Sequence, residues 1–563
     1  MRKKGLLLLL VMIAATMAIS MMSAGAATLY GDLNADGSIN STDLTIMKRV
    51  LLKQRTLDDI TPADLNGDGK VTSTDFSLLK RYLLKEISKF PVEDMQPTIE
   101  PTPTVEVTPT PTETHEGVFA FKISVYEGQS YVFPILWTPK EQEKYYIDVD
   151  WGDGTTSRIT ESSPISHKYE KEGIYTVKVL SYDYLPIKFS YDYLPIKFSY
   201  DTNVIEVLTP LPDIGETEFD AFFRGCRKLR KVPEGLFSNN VNAVDFNWCF
   251  ADCVELKEIP EGLFKNNINA TDFSWCFYGC TSLTEIPEGL FKDNVNATDF
   301  SWCFYGCTSL AKIYDGLFEN NVNATSFRGC FYGCSSLTEI PGGLFANNIN
   351  ATDFAACFSE CSSLTAIPEG LFANNINATN LGGCFDDCIS LTAIPEGLFA
   401  NNINVSNFSG SFSGCISLTE IPEGLFANNI NATNFNWCFS NCVNLIEIPE
   451  ELFANNINIA NFDDCFRGCS SLTEIPEGLF ANNVNVTDFS GCFRDCSSLT
   501  EIPEGLFDNN VNVTDFSWCF YGCKNLTGVA PALWLRPNVE GFSYCFRNCT
   551  KLSNYDDIPN GWK

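Results

Sequence analysis

The sequence predicts a multidomain chain with three folded parts: a small all-α module, a β-sandwich, and an α/β solenoid of about thirteen 27-residue repeats. Three observations predict it. A twelve-residue acidic loop occurs twice near the N-terminus, each copy followed by an amphipathic run; residues 117 to 207 alternate apolar and polar positions between turn signals; and from Cys226 onward cysteine recurs at a fixed interval. A length of 563 residues exceeds what one hydrophobic core usually serves, as a domain array or a repeat array requires. The formal net charge of -32, from 70 acidic and 38 basic residues, removes the electrostatic basis for binding nucleic acid or an anionic membrane.

At the N-terminus Arg2, Lys3 and Lys4 precede an apolar run from Leu6 to Ile19 and the small residues Ala24, Gly25 and Ala26. This is the pattern of a secretory signal peptide over residues 1–26, cleaved after Ala26. A secreted, extracellular chain with no membrane span after cleavage is expected. No cysteine precedes Cys226, and the ending YDDIPNGWK carries no hydrophobic tail, so lipid and tail anchors are not expected.

The duplicated loops are DLNADGSINSTD at 32–43 and DLNGDGKVTSTD at 64–75. Asp32, Asn34, Asp36, Ser38 (through its carbonyl), Asn40 and Asp43 put oxygen at loop positions 1, 3, 5, 7, 9 and 12, the ligand spacing of a calcium loop. Asp64, Asn66, Asp68, Lys70 (carbonyl), Thr72 and Asp75 repeat it. Gly37 and Gly69 sit at position 6, where the chain turns sharply, and Ile39 and Val71 at position 8 pair the loops. Two calcium ions are expected. Position 12 is Asp rather than Glu, and only residues 27–31 precede the first loop after cleavage, too few for an entering helix. Each loop is followed instead by one helix-forming stretch, LTIMKRVLL or FSLLKRYLL.

Over residues 29–89 these features resemble the type I dockerin domain, placed here at 27–89. The resemblance implies binding to a cohesin module of a scaffoldin, which docks proteins onto a cellulosome. The family's contact positions fall on Ser41, Thr42, Lys48 and Arg49 in one copy and on Ser73, Thr74, Lys80 and Arg81 in the other, implying two symmetry-related binding modes.

Residues 90–116 form a Pro/Thr linker that cannot bury a core and is expected to run extended. In the next part FAFKISV, YYIDVDW and IYTVKVL alternate as strands of a small antiparallel sandwich. The WGDG at 151–154 and HKYEKEGIYTVKV at 167–179 resemble a PKD-type, immunoglobulin-like domain over 117–207. SYDYLPIKF occurs twice in tandem, at 181–189 and 190–198; nine is odd, so the second copy reverses the faces of a strand unless a bulge or turn intervenes.

From Cys226 to Cys523 cysteine recurs every 27 residues, with a final step of 26 to Cys549. A unit such as CTSLTEIPEGLFKDNVNATDFSWCFYG has Leu three, Ile six and Leu-Phe ten and eleven residues after the cysteine. It resembles the cysteine-containing leucine-rich repeats of bacterial BspA-like surface proteins, a solenoid over 208–555 with a tail at 556–563. Phe273, Cys276, Phe277 and Cys280 fall at i, i+3, i+4 and i+7, which predicts one face of a short helix capped by Asp272. Cysteine is therefore expected in the core as a reduced thiol, because Phe222 and Ser411 replace it in two repeats, which a required disulfide would not tolerate. Asn240 and Asn242 each begin a column of eleven asparagines. Although NAT, NVT and NVS look like glycosylation triplets, Asn242 and Asn458 persist where the hydroxyl residue is missing, so a hydrogen-bonded ladder between turns is expected.

On a helix Trp275 would lie opposite the cysteines, in a column with Trp248 and Trp302 and flanked by Tyr278 and Tyr305. These five residues form the candidate ligand patch, with packing against the preceding sandwich as the alternative reading. No catalytic residue is identified. His115 and His167 are the only histidines, and a uniform repeat supplies columns of carboxylates rather than the acid and base of one cleft. The sequence thus predicts a non-catalytic cellulosome component whose solenoid presents a surface to a protein or polysaccharide. A glycoside hydrolase subunit acting in polysaccharide degradation is the alternative.

Overall fold

The computed structural model describes residues 30–31, 33, 39, 41–51, 57, 60–65, 70–83, 89–90, 119–134, 144–160, 166–185 and 197–563. The expected signal peptide, residues 91–116 of the expected Pro/Thr linker and the junction of the SYDYLPIKF copies lie outside them, whereas Phe90, expected to open the linker, is described and buried. The chain divides into two compact units, Met1–Pro111 and Thr112–Lys563. Among the described residues no helix is long and apolar enough to cross a membrane.

In the first unit α1 (Ser41–Leu51) and α2 (Ser73–Leu83) each begin at the Ser-Thr-Asp that ends a loop. A 3-10 turn at Thr61–Ala63 lies between them. Leu33, Ile46, Met47, Ala63, Leu65, Leu79 and Phe90 form the core with Tyr30. The Gly31 amide donates to Pro62 O at 2.8 Å, tying the entry of the first loop to the entry of the second.

The second unit opens with seven strands: β1 (Phe119–Val125), β2 (Ser130–Val132), β3 (Lys144–Asp150), β4 (Thr156–Thr160), β5 (Ser166–Lys168), β6 (Gly173–Leu185) and β7 (Val204–Val207). Five of them form an antiparallel sheet in the order β4-β3-β6-β1-β7, and β2 pairs with β5. Alternate residues of β1 are buried, as the period of two in FAFKISV requires. Trp151 is buried, stacked on His167 at 4.9 Å, and its carbonyl accepts the Tyr169 hydroxyl at 2.9 Å.

Strand β7 pairs with β1 on one side, while the Val207 amide donates to Lys231 O at 3.0 Å on the other. Phe198, near the end of the second SYDYLPIKF copy, donates its amide to Phe222 O and stacks on Phe223 at 5.2 Å. The first copy contributes Ser181 to Leu185 to β6. The two identical segments therefore do different work: one lengthens a strand and the other supplies the first rung of the coil that follows. One continuous apolar cluster runs from Phe119 to Trp562.

The coil corrects the expected short helix in each repeat, and with it the α/β description. Among the described residues beyond 208 the only helical segments are 3-10 turns at Leu533–Leu535, Tyr555–Asp557 and Asn560–Trp562. In the repeat containing Phe273 alternate amides take different partners. Phe273, Trp275, Phe277 and Gly279 donate to the next turn, at Asp299, Ser301, Cys303 and Tyr305 carbonyls. Cys276, Tyr278 and Cys280 donate three residues back. An α-helix would send every amide four residues back within its own segment.

The break recurs because Trp275 and Gly279 have φ of 59° and 67°, a left-handed residue at every fourth position. A four-residue turn returns Phe273, Cys276, Phe277 and Cys280 to the inside at the same spacing as a helix face, and all four are buried. Asp272 still receives the Ser274 amide at 2.7 Å, but it caps a turn. Strand character is reduced to isolated parallel bridges such as Asp245 to Asp272 to Asp299.

Candidate binding sites

In the first unit the two loops carry carboxylates withdrawn from water: Asp43 and Asp75, which end them, are 0% exposed, and Asp64, which begins the second, is 9% exposed. Asp43 Oδ1 accepts the Leu33 amide at 2.9 Å, and Asp75 Oδ1 accepts the Leu65 amide at 2.8 Å. The same bond thus recurs between loop positions 2 and 12 in both copies. Asp75 Oδ2 also accepts the Thr72 amide at 2.8 Å and its hydroxyl at 3.2 Å. These bonds orient the carboxylate. Withdrawn carboxylates held by amides fit a hard cation with oxygen ligands, because burying such charge without a positive partner is costly.

Among the described residues no three His, Cys, Asp or Glu side chains are gathered into a metal cluster. Asp32, Asn34, Asp36, Ser38, Asn40, Asn66 and Asp68 lie outside the described residues, whereas Lys70 and Thr72 lie within them. Of the expected cohesin contacts, Lys48, Arg49 and Lys80 are exposed on α1 and α2. Ser41, Thr42, Ser73, Thr74 and Arg81 are helical in backbone, and their side chains lie outside the description.

In the solenoid Trp248, Trp275 and Trp302 stack with centroids 4.5 and 5.3 Å apart. Tyr278 stacks on Tyr305 at 4.6 Å, and Tyr305 on Tyr332 at 4.7 Å. The tryptophans are half-buried, because each ring covers its neighbour. The Arg224 guanidinium lies 4.2 Å over Trp248 at one end and 5.8 Å from the Tyr200 ring, so it bridges the column to the segment that enters β7. At the other end Trp302 lies over Gly329, where an added Cβ would come within 2.1 Å of the indole. The column therefore offers outward edges rather than free faces. The expectation had missed Tyr332 and Arg224, although Arg224 stands in the column of Tyr278, with Ala251 between them.

The asparagine columns make the expected ladder. Asn294 Nδ2 donates to Asn267 O at 2.8 Å and Phe264 O at 3.1 Å, and the pattern recurs to Asn510. Arg536 replaces the next rung, donating to Asn510 O and Phe507 O. From Asn296 onward the second column donates to a carbonyl of the preceding turn, as Asn350 does to Val322 O at 2.9 Å. A third column, beginning at Asn239, had gone unread in the Asn-Asn doublets; Asn347 of that column donates to Glu319 O at 3.0 Å. Threonine of the triplets joins in too, with Thr298 Oγ1 donating to Thr271 O at 3.1 Å.

All 24 cysteines are unpaired and buried. The Cys280 thiol donates to Phe250 O at 3.2 Å, and burial pushes it far above the ordinary thiol value. Ser411 fills a cysteine position by donating to Leu381 O at 3.0 Å and Phe408 O at 2.8 Å.

Residues 30–84 match the family model of the dockerin type I domain, a class of calcium-binding modules. Six copies of the BspA type leucine-rich repeat region match at 211–330, 301–411, 328–460 and 362–559. No curated protein matches. Among solved structures, the crystal structure of a TLR13–ssRNA13 complex is similar at 12% identity and a TM-score of 0.27, covering 58% of this chain. The similarity spans 42% of that chain's length. Because the repeat matches extend from 211 to 559, over more than half of the 563 residues, the chain belongs to the BspA-type leucine-rich repeat family.

Proposed function

We propose that this is a secreted, non-catalytic cellulosome component. Its dockerin holds two calcium ions and docks onto a scaffoldin cohesin, while the PKD-like domain and the solenoid present a surface to a protein or carbohydrate. The observation that carries the reading is the recurring bond between loop positions 2 and 12, Leu33 to Asp43 and Leu65 to Asp75, in two loops 32 residues apart. Calcium supplies the positive charge that offsets the burial of these carboxylates. In this reading Asp32, Asn34, Asp36, the Ser38 carbonyl, Asn40 and Asp43 hold one ion. Asp64, Asn66, Asp68, the Lys70 carbonyl, Thr72 and Asp75 hold the other. The ions fix the starts of α1 and α2, and so aim Ser41, Thr42, Lys48 and Arg49, or their counterparts Ser73, Thr74, Lys80 and Arg81, at the cohesin.

The aromatic column is the proposed contact patch on the solenoid. Tryptophan there adopts a left-handed backbone, with φ of 56° at Trp248 and 59° at Trp275, where Gly329 and Gly383 serve elsewhere without that strain. Titrating a type I cohesin into the full chain by calorimetry tests the docking reading: binding is expected in calcium and absent in excess chelator. Binding of equal strength in both would overturn it.

A further inference from the structure

The two flanking asparagine columns enclose a feature that neither docking nor the aromatic column uses. One Val or Ile per repeat, from Val241 to Val511, stands between them, and all eleven are 43–63% exposed. They carry no core packing. The Trp275 column on another surface holds Trp, Gly and Ala, whereas this one admits only β-branched aliphatics. An exposed apolar ridge held over eleven turns marks a contact surface.

The flanks are built and neutral. Asn350 is pinned by its bond to Val322 O, and Asn347 by its bond to Glu319 O. Each amide thus keeps a fixed orientation, with its Oδ1 and its second N–H left for a partner. Asp293 is the only charged residue at positions 239–244 and their equivalents in the ten following repeats, although the chain as a whole carries a net charge of -32. A neutral stripe on so acidic a protein selects a neutral partner, and mutual repulsion opposes pairing with a second copy. The stripe also repeats translationally, because neighbouring turns are bonded in strand-like fashion beside it, as Thr298 N to Thr271 O at 2.8 Å. Such regularity suits a polymer of like units rather than a peptide of varied side chains.

We infer that the stripe binds an extended neutral β-linked polysaccharide. The aliphatic ridge covers the C–H faces of the sugar rings, and the two rows of pinned amides meet their hydroxyls. Pre-set amides lower the ordering cost of binding. The inference deepens the reading of the solenoid as a presenting surface, and it does not depend on the dockerin.

The test uses the purified full chain, with microcrystalline cellulose in a pull-down and soluble mixed-linkage β-glucan in affinity electrophoresis. The wild type is expected to be retained on at least one of them, with little change at raised salt. Ile349→Glu, Ile376→Glu and Ile403→Glu together are expected to weaken retention by about tenfold or more at an unchanged melting temperature. Val529→Glu, at a 68% exposed site outside the stripe, is expected to leave it intact. Should the glutamate variant fail to fold, the three Ile→Thr changes, which keep the branch and remove the apolar end, replace it. No retention of the wild type, retention abolished by salt, equal loss in Val529→Glu, or a wild-type dimer dispersed by the stripe changes would each overturn the inference. Cohesin binding measured in the same samples separates this failure from failure of the docking reading.

Discussion

The dockerin loops and the asparagine turns solve one problem in opposite ways. Both are tight segments whose polar groups are withdrawn from water. In the first unit the groups are carboxylates, Asp43, Asp64 and Asp75, whose charge calls for a cation. In the solenoid they are neutral amides such as Asn375, whose donors reach Asn348 O at 2.9 Å and Phe345 O at 3.1 Å in the turn before. In the proposed reading one region draws on an ion from solution, and the other on its own preceding copy. Calcium dependence should therefore be confined to the first unit, and tolerance of buried charge should be absent from the ladder.

The largest expected effect is on removal of calcium. The full chain in excess chelator should lose cohesin binding and the ordered signal of residues 30–90 in hydrogen exchange, while protection of the solenoid amides stays unchanged. Equal loss in both units would erase the distinction.

Next in size, Asn375→Asp places in the ladder the residue that the dockerin loops accept. With no cation and two carbonyls facing it, the carboxylate should cost about 3–5 kcal/mol at pH 7, read from urea unfolding. A cost below about 1 kcal/mol would show that the ladder tolerates charge. The column itself never carries Asp, whereas the exposed column beside it does at Asp293.

Asp386 is a smaller test of the same rule, a solenoid carboxylate half-buried without a basic partner. Burial is the main cause that pushes its pKa from the ordinary 3.8 up to about 6. The folded state then holds a proton between these values that the unfolded chain releases, so stability from this group is present below the ordinary value and lost as pH rises to about 6. Asp386→Asn should raise the melting temperature at pH 7 and leave it unchanged below pH 3.8. A pH-independent gain would assign the effect to packing.

The smallest effect concerns the doubled loops. Ser41→Ala with Thr42→Ala should leave cohesin affinity nearly intact, because Ser73 and Thr74 serve after a half-turn, and calorimetry of the double change against the quadruple change checks it. Loss of binding on the first pair alone would break the symmetry.

Much of this was legible because repetition turns spacing into geometry. Ligand positions in the loops, the core columns Leu283, Ile286 and Phe291, and the unbroken asparagines can be read from identical residues at identical intervals. The helix of the repeat was misread for a physical reason: a four-residue turn and a helix both bring Phe273, Cys276, Phe277 and Cys280 to one side, and periodicity alone cannot separate them. The left-handed Trp275 that distinguishes the two is marked only indirectly, by the glycines that take its column in other repeats, such as Gly329, Gly383 and Gly410.

By itself, then, the sequence determined which residues recur and so which columns line the core, the ladders and the calcium loops, because side-chain chemistry and interval suffice for that. Tertiary structure decided what faces what. Only stacking of turns could show that the tryptophan faces are spent on one another and on Arg224, and that β7 joins the sheet to the coil through Lys231. Those contacts form between segments that occur once or meet across turns, and a contact across turns depends on the path of the backbone, which no local interval records.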